Sequence, residues 1–319
     1  MFKARIKNTD DVIESEDLKV LEDVRSIEFV CVDKNCNIPL IPSSYQEKNK
    51  RRPFFKKYKN QQHSNKCSYN KYLHFLEIGK TRRLTELEFE KLEYPSQLII
   101  NQPKPKESDT TTNDILPESE GSSTKKISNG EFTEAAHSNR KVSSISQIVD
   151  FYLACPYNRE VDLDLLGINA PYKYQFRRIY GPNTGNYIDN KIFYGVIDFR
   201  DLDSLRSTNE ATIIKLHECE RWEDNPRLVF PARRRVNPYY LKINKGEITS
   251  YKMNRILKER ETVINQSKGD FLNKIKKDRV EAYVFFLGKR PAAESPYLFE
   301  AIKGFVSFRY VKIFHPDRE

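Results

Sequence analysis

Three cysteines and a histidine crowd into one stretch of the sequence, Cys31-x4-Cys36 and, after a long polar insert, His63-x3-Cys67. Thiolates and a neutral imidazole are the ligands that a tetrahedral Zn²⁺ takes. Two short ligand pairs can each wrap one edge of that tetrahedron through a tight turn. Asp33, Lys34 and Asn35 inside the first pair are turn-forming or polar, and Asn37 follows directly. The pattern predicts a structural Zn²⁺ held by Cys31, Cys36, His63 and Cys67, with all four corners filled and none open for catalysis. The competing reading is a set of scattered thiols in a reduced chain. His74 offers a rival ligand, but its setting among Tyr72, Leu73 and Phe75 predicts a partly buried packing histidine.

Such ligands need elements to present them. Ile27-Glu28-Phe29-Val30 reads as a strand with Ile27, Phe29 and Cys31 on one face, and residues 38–41 read as its return strand. Upstream, residues 1–26 offer sparse apolar points that fit either a short helix over 17–24 or a strand leading into Ile27. Downstream, residues 68–93 carry helical alternation through Tyr72, Phe75, Leu84, Leu87 and Leu92. That helix or helical pair would pack on the ribbon, since a small metal domain buries too little apolar surface alone.

The string RRPFFKKYKNQQHSNKCSYN, following a Cys-x4-Cys knuckle, resembles the zinc-ribbon module at the N-terminus of CoiA-type competence proteins. It is also similar to modules of uncharacterised bacterial proteins from mobile-element or defence neighbourhoods. The resemblance covers residues 27–70. It implies Cys31, Cys36, His63 and Cys67 as ligands, Phe54 and Phe55 packed under the metal, and a role in a bacterial mobile-element or defence system. The chain departs from that pattern in two places: the first pair is spaced by four residues rather than two, and Phe55 stands where some relatives carry a further histidine.

The chain has 319 residues, a formal net charge of +10 and 38% hydrophobic residues. That length allows two domains, and the charge favours a polyanionic partner. The mean hydropathy of −0.72 implies that part of the chain packs poorly. No apolar run approaches the ~20 residues of a membrane span, and the polar N-terminal stretch lacks a signal-peptide core. With five cysteines and no secretory signal, the expectation is a soluble, cytoplasmic protein without a membrane partner.

Composition divides the chain into a zinc-ribbon domain over 1–100, a disordered linker over 101–142 and a larger domain over 143–319. The linker is rich in Ser, Thr, Pro and charge and offers little to offset the entropy of ordering. The last part opens with a helix around SISQIVDFYLACPY, for which a serine can serve as N-cap. Strand-like runs follow at 191–199, 210–218, 227–232, 239–243, 281–288 and 305–314, with a basic helical stretch before the fifth. Alternation in the last run places Val306, Phe308, Tyr310 and Phe314 on one face. The predicted fold class is α+β: a small zinc ribbon plus a mostly antiparallel β domain with helices.

Two basic clusters interleaved with aromatics predict a nucleic-acid surface, because cations neutralise phosphates and exposed rings stack on unpaired bases. The first holds Lys48, Lys50, Arg51, Arg52, Lys56, Lys57 and Lys59 around Phe54, Phe55 and Tyr58. The second holds Arg227, Arg233, Arg234, Arg235, Tyr239, Tyr240, Lys242, Lys245, Lys252, Arg255, Lys258 and Arg260. The alternative is a solvated face with core aromatics at strand spacing. A metal-dependent nuclease of the PD-(D/E)xK type needs two or three carboxylates and a lysine. Asp198, Lys215 and Glu218 form a loose echo of that set, with Asp162, Asp164, Asp201 and Asp203 as further acids. CoiA-type proteins carry a nuclease-like region beyond the ribbon, and its acidic motif has no clear match here. His217 and Cys219, with Cys155, offer three ligands, too few for a second closed site, and read as core residues. No GxGxxG, GxxxxGK[ST] or GxSxG occurs, so phosphate loops and serine-hydrolase elbows are unsupported. The sequence therefore favours a binder of nucleic acid over a nuclease, and both over a scaffold whose basic face docks an acidic protein partner within a larger complex.

Overall fold

The computed structural model describes residues 1–319 except 10, 47, 50, 91, 93, 101–139, 182–186, 200–204, 225–232, 274–278 and 317–319. Among the described residues the chain is mixed α+β with mostly antiparallel sheets. The N-terminal sheet holds β1 (Lys3–Ile6), β2 (Val12–Glu14), β3 (Phe29–Val30), β4 (Pro39–Ser43) and β5 (Phe54–Lys57), in the order β2-β1-β3-β4-β5. All its pairings are antiparallel. The hairpin β1–β2 was not read from sequence, because so short a ladder has little room for alternation. A 3₁₀ turn over Ser15–Lys19 stands where a longer helix was one of two expectations.

Two helices follow, α1 (Ser68–Gly79) and α2 (Glu86–Glu90). A four-stranded sheet is then built from β6 (Pro95–Leu98), β7 (Arg140–Val142), β8 (Asp162–Leu165) and β9 (Ile168–Pro171), ordered β7-β6-β8-β9. β6 pairs with both β7 and β8, so this sheet takes strands from either side of the expected linker. The last three linker residues are thus a strand, whose Val142 is buried beside Leu98. The rest of the linker, residues 101–139, lies outside the described residues. Helix α3 (Ile145–Ala154) starts at Ser144, whose hydroxyl accepts the Ser146 amide at 3.2 Å.

A one-turn helix α4 (Tyr172–Gln175) leads into the seven-stranded sheet of β10 (Phe176–Arg178), β11 (Lys191–Val196), β12 (Leu205–Ser207), β13 (Ala211–Asp224), β14 (Arg233–Asn244), β15 (Glu281–Lys289) and β16 (Leu298–Val311). Its order is β10-β11-β15-β16-β14-β13-β12, and only β10–β11 and β14–β16 run parallel. β15 shows why both faces are covered. Tyr283, Phe285 and Leu287 enter one core with α3, while Ala282, Val284 and Phe286 enter another with α5 (Ser250–Leu272). A strand buried on both sides reads as a continuous apolar run, which is what YVFFL is. Val306, Phe308 and Tyr310 share the α5 face as expected. Phe314 lies past the end of β16 and meets Tyr157. The expected strand at 227–232 lies outside the described residues.

The N-terminal sheet is tied to the rest through buried charge. Arg52 meets Glu16 and, at 3.1 Å, Asp150 of α3. Arg309 of β16 binds Asp150 at 2.8 Å and Glu259 of α5 at 2.6 Å, and Arg255 pairs with Glu14 and Asp17.

Candidate metal centre

Each of three cysteines sits at the end of a short local structure. Cys31 directly follows β3, Cys36 closes the turn before β4, and Cys67 caps α1. In the turn, the Cys36 amide donates to the Asp33 carbonyl at 3.0 Å and the Cys31 amide to the Ile38 carbonyl at 2.9 Å. Asn37 has a φ of 48°, a left-handed conformation that its short polar side chain tolerates. Asp33 then fastens this turn to the second pair. One carboxylate oxygen accepts the Ser68 amide at 2.7 Å and its hydroxyl at 2.9 Å, while the other accepts the Asn35 amide at 2.8 Å.

The four ligand atoms converge. Cys31 Sγ is 3.6 Å from Cys67 Sγ, His63 Nδ1 is 3.4 Å from Cys36 Sγ, and it is 3.5 Å from Cys67 Sγ. All four lie within 4.8 Å of one another. A tetrahedral ion with bonds of about 2.3 Å to sulfur and about 2.0 Å to nitrogen has edges of about 3.8 Å (S–S) and about 3.5 Å (S–N). The observed contacts match those edges, so Cys31, Cys36, His63 and Cys67 form a group that could hold a metal ion.

Burial favours the neutral form of Cys31, Cys67 and His63 when no ion is bound. Burial pushes the Cys31 thiol well above its ordinary range against the Asp33 amide, and the neighbouring Cys67 thiol adds to it. Burial raises Cys67 in the same way, opposed by the Asn70 amide. Clustered thiolates are unfavourable without a positive charge among them, and a bound divalent ion supplies it. Burial, then the Lys57 charge, lower His63, which favours the neutral imidazole that ligates.

Comparison with protein-family models, with curated proteins and with solved structures finds no match to this chain.

The packing beneath the ligands differs from expectation. Cys31 and Cys67 are buried with Tyr69, with Val32, Ile38, Tyr72 and Leu73 around them. Phe55 instead meets Phe29, with ring centroids 5.2 Å apart, in the neighbouring core of Leu18 and Leu40, and Phe54 is half-buried. β5 turns Phe55 into that core because alternate residues of a strand face opposite sides. His74 is exposed rather than packed, since α1 buries its Tyr69 and Gly79 side.

The basic residues part company. Arg51, Lys56, Lys57 and Lys59 are exposed on and beside β5, with Tyr58 also exposed. Arg52 is not available to phosphate: it turns inward to Glu16 and Asp150, over the Phe2 ring. Lys50 and Arg227 lie outside the described residues. On β14 every arginine faces an acid: Arg233 meets Asp224 at 3.4 Å, Arg234 meets Glu223 at 2.9 Å and Arg235 meets buried Asp198 at 2.5 Å. Lys242 pairs with Glu300 at 3.0 Å, Arg255 with Asp17 at 3.0 Å, and Tyr240 is half-buried. Antiparallel pairing of β13 with β14 sets the acidic end of one strand against the basic start of the other.

Asp198, Lys215 and Glu218 belong to no group of three or more metal-ligating side chains; among the described residues the Cys/His group alone is such a group. Asp198 is engaged by Arg235, and its amide donates to the Lys215 carbonyl at 3.1 Å. Glu218 instead accepts the Val196 amide at 2.9 Å through both oxygens, and burial pushes its carboxyl up to about 7. Gly195 makes room for it: a Cβ there would lie 2.8 Å from Glu218 Oε2. Asp201 and Asp203 lie outside the described residues. Cys155 is buried in the α3 core, and Cys219 is buried while half-buried His217 meets Trp222, so these three gather no second site. No described helix is long and apolar enough to cross a membrane.

Asp33 and Tyr69 are the parts of the centre that sequence reasoning missed. Asp33 was visible as a turn former, and only its reach to Ser68 gives it a second task.

Proposed function

We propose that the chain is a nucleic-acid-binding protein whose N-terminal module is ordered by a structural Zn²⁺. Zinc is favoured among tetrahedral ions because it takes thiolate and imidazole together and is redox-inert. With all four positions supplied by the protein, the metal would hold structure and leave no open corner for substrate. The observation that carries the binding reading is the run of exposed cations on and beside β5, Arg51, Lys56, Lys57 and Lys59, with exposed Tyr58 among them; the Lys57 charge is felt by His63. The resemblance to CoiA-type ribbons supports placement in a bacterial mobile-element or defence system.

Salt titration tests this. Retention of DNA or RNA should fall steeply between about 50 and 200 mM salt, as counterion release requires, and Lys56→Ala/Lys57→Ala should shallow the slope. Metal analysis should find close to one zinc per chain, and Cys31→Ser or Cys67→Ser should lose it. A protein that retains neither DNA nor RNA at low salt overturns the binding reading and leaves a scaffold for an acidic protein.

A further inference from the structure

β10 is the edge strand of the large sheet, and beside it a cleft of about 450 Å³ faces the residues that follow α3. Its floor is aromatic. Tyr152 stacks on Phe176 with centroids 3.8 Å apart, and the Arg159 guanidinium lies 3.8 Å from the same ring. Around this floor stand Arg83, Lys173, Arg177 and Arg178, all exposed, and Tyr180, which is 60% exposed. The lining holds one carboxylate, Glu160, and Lys173 occupies it at 2.7 Å. Among the described residues Arg83, Arg177 and Arg178 form no ion pair, in contrast to the neutralised arginines of β14. A second groove of about 340 Å³ shares Arg178 and Tyr194, and its lining adds Arg279 and Lys312 together with the carboxylate of Glu281.

Cations gathered on concave walls focus positive potential. Arginine forks match phosphate oxygens in pairs. The volume suits a ligand the size of a nucleotide, and an exposed ring such as Tyr180 can stack only on a base whose face is free. We propose that this cleft binds single-stranded nucleic acid, with backbone phosphate on Arg177 and Arg178 and an unpaired base against Tyr180. The proposal rests on the nucleic-acid reading above and moves the principal contact from the cations around β5 to the β10 edge.

The test is fluorescence anisotropy of the full chain with labelled oligothymidylate, using Arg177→Ala/Arg178→Ala, Tyr180→Ala and Lys56→Ala/Lys57→Ala. All substituted side chains are exposed, and circular dichroism with metal content checks that each variant is folded. The arginine double variant should bind at least about 10-fold more weakly and lose about 1.4 from the log–log salt slope, two single-strand phosphate contacts' worth. Tyr180→Ala should weaken binding by about 5- to 100-fold with the slope unchanged. Wild-type protein that binds the strand while both cleft variants match it overturns the cleft and spares the broader reading. Loss confined to Lys56→Ala/Lys57→Ala does the same. Wild-type protein that binds no strand at low salt overturns both. Displacement of the strand by an equal nucleotide concentration of free AMP overturns the strand assignment in favour of a mononucleotide site.

Discussion

Asp33 and Glu218 are both carboxylates, and their surroundings drive them in opposite directions. Asp33 is held low chiefly by the Ser68 amide that donates to it, so it stays ionised and keeps the two ligand pairs together. Asp33→Ala should weaken metal retention by about 10- to 100-fold, the range found when outer-shell partners are removed, measured by competition with a chromogenic chelator. Glu218 is raised to about 7 by burial. The folded chain therefore keeps a proton that the unfolded chain releases, and stability falls as pH rises from the ordinary carboxylate range towards 7, by at most about 1.4 kcal/mol per unit. Glu218→Gln, which cannot ionise, should flatten that part of the stability–pH curve in urea unfolding. An unchanged curve would show that the carboxyl titrates normally.

At the level of elements, α1 is positioned twice: its start carries Cys67, the last of the four candidate ligands, and its end packs on α3. Gly79 lies against Cys155, and a Cβ there would sit 2.5 Å from Cys155 Sγ. Gly79→Ala should destabilise the protein by about 1–3 kcal/mol through overpacking. Because the clash is with one sulfur, Cys155→Ala in the same chain should cost less than the two single changes added together; strict additivity in denaturant melts would refute the contact. This close approach was invisible in the sequence, where Gly79 lies within the helical run 68–93 and Cys155 reads as a small core residue. The strand runs at 191–199, 210–218, 239–243 and 281–288 were legible because short runs rich in β-branched and aromatic residues are a local signal. β1, β2 and β7 were not, because they hold three or four residues each and exist only through their partners.

Across the whole molecule, Arg309 organises a buried charge network that joins the N-terminal sheet, α3, α5 and β16. It contacts Asp150 and Glu259 directly and lies 3.9 Å from Glu16. Arg309→Met should cost about 3–5 kcal/mol, since it strands buried carboxylates without their partner, and the urea midpoint will report it. Burial opposes ionisation of Asp150, but Arg309 and Arg52 outweigh it and hold the carboxyl down at about 2. A depressed carboxyl stabilises the fold above its ordinary pKa near 3.8 and loses that contribution as pH falls towards 2. Arg309→Met should therefore reduce the steepness of acid unfolding in that window.

The ligand set was readable from the chain alone, because each pair of ligands is local and its residue types admit few other uses. The helices and the doubly buried strands were readable for the same reason: their signals lie within a few residues of one another. Tertiary structure alone decided which cations remain available. Arg52 and Arg177 are equally basic in the sequence, yet Arg52 meets an aspartate 98 positions away, while Arg177 stands at a sheet edge with no acid paired to it among the described residues. Charge neutralisation depends on distance in space, and the order of residues along a chain does not encode that distance locally.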